Sequence, residues 1–236
     1  MHTTLVINPK GGSGKTTVTV NLASYFAATG VQTAVMDYDP QGSSLNWLSL
    51  RPPYARVIRT ANAARQKAMA LRSMAMYVAP DTQQLIIDAP AGDCGMVLHE
   101  MFDRANCILI PVTPSTIDIH ATANFIKETL LTQHMQARRL PIGIVANKVR
   151  RSMPSYAPLQ WFLNSLNLKL VARLVDSDVY LKVAEAGIGI YDMDPNFSAS
   201  ERQQFAPIGE WVRNQRRGAD ARPDDNVYEL SRTRFA

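Results

Sequence analysis

The sequence predicts an α/β domain, and three observations predict it. A β-branched, apolar run at residues 3–7 leads directly into Asn8-Pro9-Lys10-Gly11-Gly12-Ser13-Gly14-Lys15-Thr16-Thr17, and a helical pattern over 18–28 follows, with Val18, Leu22, Tyr25 and Phe26 on one face and Gly30 as its stop. Further apolar runs of strand length, at 32–37, 84–88, 106–112, 142–146 and 169–175, are separated by helical stretches. Two of these runs end in a carboxyl group, Asp37 and Asp88, at the strand ends where an open α/β sheet places its chemistry.

The chain of 236 residues has room for one such domain with a substantial core. With 46% hydrophobic and 19% charged residues it groups with soluble globular proteins rather than disordered chains. No apolar run is long enough to span a bilayer, and no secretory leader is expected. Two cysteines, Cys94 and Cys107, do not make a disulfide framework, and Cys107 sits inside an apolar strand as a small hydrophobe. A reducing, cytoplasmic setting is expected. The formal net charge of +5 favours polyanionic partners, with phosphate-binding lysines accounting for part of it.

Strand, glycine-rich turn and helix start together make a phosphate cradle. Glycines let the backbone approach the phosphate oxygens, and the N–H groups at the helix start point at the negative charge. Lys15 is spaced to reach the β- and γ-phosphates of a nucleotide, and the Thr16 hydroxyl to ligate Mg²⁺. Residues 84–88 have the Walker B form, a buried strand ending in an acid, so Asp88 is expected to hold Mg²⁺ through water. At 147–150 the sequence reads Asn-Lys-Val-Arg. A guanine-reading loop needs an aspartate where Arg150 stands, which disfavours guanine.

The phosphate loop departs from the standard pattern. Pro9 occupies a glycine position, and Lys10-Gly11-Gly12 are extra. This form, KGGxGK(S/T), resembles the deviant P-loop of the ParA/MinD family of ATPases. The resemblance extends over about residues 1–217, leaving 218–236 as a mobile tail. It is strongest at the P-loop, at 37–42, which is similar to the family's DxDPQ switch, and at 88–92, similar to its second switch. It implies a doubly wound, mostly parallel sheet. ATP and Mg²⁺ would be bound by Gly11, Gly12, Ser13, Gly14, Lys15, Thr16 and Thr17, with Asp39 and Asp88 joining Thr16 around the metal and Asn147 contacting adenine. Lys10, Lys15 and Asp39 would carry catalysis: Lys10 reaches across a homodimer to the partner's nucleotide and Asp39 orients the attacking water. The family cycle further implies an ATP-bound dimer that holds nucleoid DNA without sequence preference. A cargo-linked ParB-like or McdB-like protein would stimulate hydrolysis, and the cargo would be a plasmid, a chromosome or a protein compartment such as a carboxysome. The candidate DNA contacts are Arg150, Arg151, Arg173, Lys182, Arg202, Arg213, Arg216 and Arg217.

Several segments read more locally. Helices are expected at 43–50, with Trp47 in the packing, and at 63–76 within a basic stretch carrying Arg51, Arg56, Arg59, Arg65, Lys67 and Arg72. Thr113-Pro114-Ser115-Thr116 caps a helix running to about residue 131, and further helices are expected at 158–166, 178–186 and 200–217, the last broken or kinked at Pro207. Rival functions are weaker. A MinD-like membrane ATPase needs an amphipathic C-terminal helix, and Val227, Tyr228, Leu230 and Phe235 are sparse. A redox protein like the nitrogenase iron protein needs a second cysteine ahead of Asp88. No second substrate site is legible for a ligase such as dethiobiotin synthetase, and the tail lacks the tyrosines of a bacterial tyrosine kinase.

Overall fold

The computed structural model describes residues 1–61, 78–92, 95–130, 140–150, 161 and 168–220. Its centre is a seven-stranded sheet in the order β3-β2-β4-β1-β5-β6-β7, with every pair of neighbours parallel. The strands are β1 (His2–Val6), β2 (Thr33–Asp37), β3 (Arg59–Ala61), β4 (Gln84–Asp88), β5 (Cys107–Val112), β6 (Ile142–Val149) and β7 (Lys169–Val175). The helices among the described residues are α1 (Lys15–Ala28), α2 (Ser43–Ser49), α3 (Gly95–Arg104), α4 (Thr116–Phe125, continued by a π-helical turn over Ile126–Leu130), α5 (Asp178–Glu185) and α6 (Pro195–Asp220).

Every residue of β1, β2, β4 and β5 is buried, as expected where helices cover both faces of a parallel sheet. The pleat divides the core accordingly. Leu5, Ile7, Leu85, Ile87 and Ile110 pack on one face with Met101, Phe102 and Ile119 of α3 and α4. Val6, Ile86, Leu109 and Val145 pack on the other with Leu22, Phe26, Trp47, Phe205 and Ile208 of α1, α2 and α6. The chain winds out through β2 and β3 on one side of β1, returns at β4, then crosses to β5 on the other side. The carboxyl end of β1 is therefore the switch point where such a sheet opens a ligand crevice.

The expected doubly wound sheet is present, with all its strands parallel. Other expectations change in the structure. Strand β3 is an edge strand that no apolar run announced. Helix α1 is buried on nearly all sides, because the sheet, α2 and α6 enclose it. Pro207 does not break α6; the non-helical residue is Ser198, whose hydroxyl donates to Ile190 O (3.0 Å), and the helix continues past Arg217 to Asp220. The segments 63–76 and 158–166, apart from an exposed Trp161, lie outside the described residues, as do Cys94 and 221–236.

Arg51 is not part of a basic surface. Its guanidinium and the Asp192 carboxylate form a buried bidentate pair (2.8 and 3.0 Å; side-chain exposures 7% and 3%). Arg51 also donates to Arg56 O (2.7 Å) and lies over the Trp47 ring, while Asp192 accepts from Gly189 N (2.8 Å). The pair ties the end of α2 to the 187–192 turn. Removing one partner leaves a buried charge alone, so Asp192→Ala is expected to lose about 3–5 kcal/mol of unfolding free energy in urea titration. Replacing both partners with apolar groups of similar volume is expected to lose far less.

Candidate functional site

The site is built at the carboxyl ends of β1, β2 and β4. Asn8, which follows β1, donates from Nδ2 to Pro111 O (2.7 Å) and Thr122 Oγ1 (3.0 Å) and accepts at Oδ1 from Lys10 N (2.9 Å). One buried amide thus anchors the start of the phosphate loop to β5 and α4, a role the sequence reading did not assign. Gly14 closes the loop in the left-handed region (φ +92°) and stands at the N-cap of α1 without a side-chain cap. The first helical bond runs from Val18 N to Gly14 O (3.0 Å), so the Thr16 and Thr17 N–H groups lie ahead of the helical ladder, where a helix start binds anions. A Cβ on Gly14 would sit 1.9 Å from Asn147 Nδ2, so both space and φ require glycine there. Asn147, at the end of β6, is buried, and its Nδ2 donates to Ser13 O (2.9 Å).

The two lysines have separate positions. Lys15 is 7% exposed, and its ammonium donates to Lys10 O (3.3 Å) across the loop. The Lys10 side chain is 45% exposed and lies 3.7 Å from Asp118 Oδ1, outside the cradle. Asp118 is held in turn by the Thr113 hydroxyl, while its N–H donates to the Ser115 cap of α4 (3.1 Å). Burial pushes the Asp118 carboxyl up, but hydrogen bonding by Thr113 and Ser115 and the Lys10 charge hold it below its ordinary range.

The Thr16 hydroxyl donates to Asp88 Oδ2 (2.9 Å), while buried Asp88 Oδ1 has no hydrogen-bond partner among the described residues. Burial first, and the neighbouring Asp37 charge second, raise the Asp88 carboxyl to about 7. A hydroxyl beside an unsatisfied carboxylate oxygen is a hard-oxygen donor set that suits Mg²⁺. Asp39 lies one turn away, half-buried, its Oδ1 accepting from Gln41 N (2.9 Å). The structure adds Asp37, which the sequence reading left as a strand end; it is 1% exposed and pairs in register with Asp88. The second switch is linked to the loop, with Gly92 N donating to Pro9 O (2.8 Å).

The basic candidates fall on several elements. Arg150 follows β6 and pairs with Asp176 (3.3 Å), Arg173 is on β7, Lys182 is on α5, and Arg213 and Arg216 are on α6, which packs on β7 through Gln204 Oε1 and Val175 N (2.8 Å). The Arg202 guanidinium is taken up by Ile190 O (3.0 Å) and Met193 O (2.6 Å) and lies over Tyr191, which makes it a loop fastener rather than a surface cation. The side chain of Arg217 and all of Arg151 lie outside the described residues. No helix among the described residues is long and apolar enough to cross a membrane.

Comparison with known proteins adds to this geometry. The profile of the CobQ/CobB/MinD/ParA nucleotide binding domain matches residues 4–176. An iron-sulfur cluster carrier protein of Mycobacterium tuberculosis is 25% identical over 226 residues, with 83% of this chain and 56% of that protein covered, so the chain spans about half that relative's length. The maintenance of carboxysome distribution protein A of Halothiobacillus neapolitanus is 23% identical over 194 residues, with 81% and 87% covered. A Cyanothece McdA–ATP complex shares the fold with a TM-score of 0.65 at 15% identity, covering 91% of this chain and 96% of that one. Cys107 offers no ligand to a cluster, since it is wholly buried beside Thr4 and burial pushes its thiol up to about 12.

The raised Asp88 carboxyl has a pH signature in the nucleotide-free protein. Its stabilising contribution is complete below about pH 4, where the unfolded carboxyl is protonated too, and is lost as pH rises through about 7. Chemical denaturation from pH 4 to 8 is expected to show that loss, and Asp88→Asn is expected to remove it. Asn147→Ala deprives buried Ser13 O of its donor, which at about 1–2 kcal/mol weakens nucleotide binding by roughly tenfold. Calorimetry with inorganic tripolyphosphate is expected to show this loss as fully as ATP does, while any further loss with ATP measures an adenine contact.

Proposed function

The chain belongs to the CobQ/CobB/MinD/ParA nucleotide binding domain family, and from that premise we propose that it is a ParA-type, Mg²⁺-dependent ATPase that dimerises on ATP, binds DNA without sequence preference, and positions or partitions a cargo. The observation that carries this reading is the division of labour between the two lysines. Lys15 is buried over the cradle, where it serves the phosphates of its own subunit, whereas Lys10 stands half-exposed outside it. A cation in that place can serve a nucleotide held by a second subunit, supplying the stabilisation that an arginine finger gives elsewhere.

In this mechanism the N–H groups at the start of α1 and the Lys15 ammonium bind the phosphates. Thr16, Asp88 and Asp39 would hold Mg²⁺, which neutralises phosphate charge when bound. Asp39 accepts a hydrogen bond from water and aims it at the γ-phosphate, and Lys10 of the facing subunit balances the developing charge. Loss of the γ-phosphate releases the 37–42 and 88–92 turns, the second of which is bonded to Pro9, and the dimer opens. A cargo-bound, ParB-like or McdB-like protein accelerates that step. The carboxysome-distribution relative supports a protein compartment as cargo, beside plasmid and chromosome. The proposed DNA contacts are Arg150, Arg173, Lys182, Arg213 and Arg216, joined by Arg151 and Arg217 from the sequence pattern alone, and dimerisation doubles their number.

The test is a set of three variants. Lys15→Ala is expected to lose ATP binding. Lys10→Ala is expected to bind ATP without hydrolysing it, and Asp39→Ala to accumulate as an ATP-bound dimer in light scattering. A wild-type protein that stays monomeric with ATP would overturn the reading. For DNA, a fluorescent-duplex titration is expected to show affinity with ATP but not ADP. Log affinity should fall against log salt with a slope of about −0.9 per phosphate neutralised. Removing the charges of Arg216 and Arg217 should flatten the slope equally on all sequences.

A further inference from the structure

The turn that carries Asp39 is held from one point, the buried carboxyl of Asp37. Asp37 ends β2 and is 1% exposed. Its Oδ1 accepts from Asp39 N (2.8 Å), and its Oδ2 accepts from Ser44 N (3.1 Å) and Leu45 N (3.3 Å). These last two are the second and third residues of α2, the donors that an N-cap side chain normally satisfies. The N-cap position of α2 is Gly42, in the left-handed region with no side chain to offer, so a residue on the preceding strand supplies the cap. Between these anchors the turn is closed by Gln41 N to Asp39 Oδ1 (2.9 Å) and Gly42 N to Asp39 O (2.9 Å). Tyr38 N is taken by Asp88 O (2.9 Å), which fixes the remaining residue of the turn's entry to β4.

The geometry points to Asp37 as the positioning residue for Asp39: a single buried carboxyl grips the turn at both ends and sets the direction in which the Asp39 side chain faces the phosphate loop. Both oxygens are needed, since one holds the Asp39 backbone and the other the start of α2. An asparagine at 37 has one acceptor oxygen and must turn its NH₂ towards an N–H donor. One end of the turn is then released, while the fold and the phosphate cradle, which draw on β1 and α1, stay in place. A misdirected general base costs rate rather than binding. The inference rests on the reading of Asp39 as the water-orienting residue.

The experiment compares wild type, Asp37→Asn and Asp39→Ala in steady-state ATP hydrolysis, in ATP binding without Mg²⁺ and in light scattering with ATP. Asp37→Asn is expected to lower kcat at least tenfold, to keep metal-free ATP affinity within twofold of wild type, and to accumulate as an ATP-bound dimer as Asp39→Ala does. Parallel losses of kcat and metal-free ATP affinity in Asp37→Asn would overturn the inference, as would wild-type kcat in that variant. Full hydrolysis by Asp39→Ala alone would instead remove the premise, and the two failures are distinct. Should Asp37→Asn not fold, amide hydrogen exchange on the wild-type protein decides. Protection at Asp39, Ser44 and Leu45 above that of Gln41 and Gly42 is expected, and rapid exchange at all three overturns the inference.

Discussion

Two acids in register at the ends of β2 and β4 are the constraint around which the rest of the site is arranged. Asp37 and Asp88 are each 1% exposed and lie side by side on adjacent strands at the carboxyl edge of the sheet. A buried carboxylate must be hydrogen-bonded or ion-paired, or it takes up a proton. The structure resolves the two cases differently. Asp37 is met by three backbone N–H groups. Asp88 receives the Thr16 hydroxyl at Oδ2, has no partner for Oδ1 among the described residues, and has its carboxyl raised to about 7. One acid is thus satisfied by backbone donors, and the other is met by fewer partners and holds its proton more tightly.

The loops follow from that pairing. The Thr16 hydroxyl reaches Asp88 only because α1 starts where Gly14 turns the chain left-handed, and Gly14 can occupy its place only because it has no side chain to meet Asn147. Gly92 N donates to Pro9 O, so the glycine-rich loop and the turn after Asp88 share a backbone bond. Lys10 is excluded from this cluster and stands on the rim beside Asp118. The relatives differ in what their names say they handle, iron-sulfur clusters in one case and carboxysomes in another, so membership of the family does not by itself fix what the chain acts on.

Much of this was legible in the residues. The P-loop, the two strand-end acids and the alternation of apolar runs with helical stretches located the sheet's carboxyl edge, because those signals are local: strand, turn and helix chemistry within a few residues of each other. Trp47 as packing and the Ser115 cap were readable for the same reason. The ends of strands and the faces of helices were less so. Helix α1 has the pattern of a one-faced helix and is enclosed all round, and the kink of α6 falls at Ser198 rather than Pro207 because a tertiary hydrogen bond to Ile190 O, not the missing proline N–H, sets the local geometry.

The sequence by itself determined the fold class and the family, since both are carried by spacing along continuous segments: the strand, glycine-rich turn and helix start over 3–28 and the acids that end the strands at 37 and 88. What only the tertiary structure decided was which charges remain at the surface and which acids matter. Arg51 and Arg202 read as surface cations until the fold brought Asp192 to one and the 190–193 carbonyls to the other, across 141 residues in the first case. Asp37 read as the end of a strand until β4 was laid beside it and the start of α2 folded back onto its carboxyl. Charge and hydrogen-bonding capacity are properties of a residue, but whether they are available to a ligand depends on partners distant in the chain, and those are assigned only when the sheet is assembled.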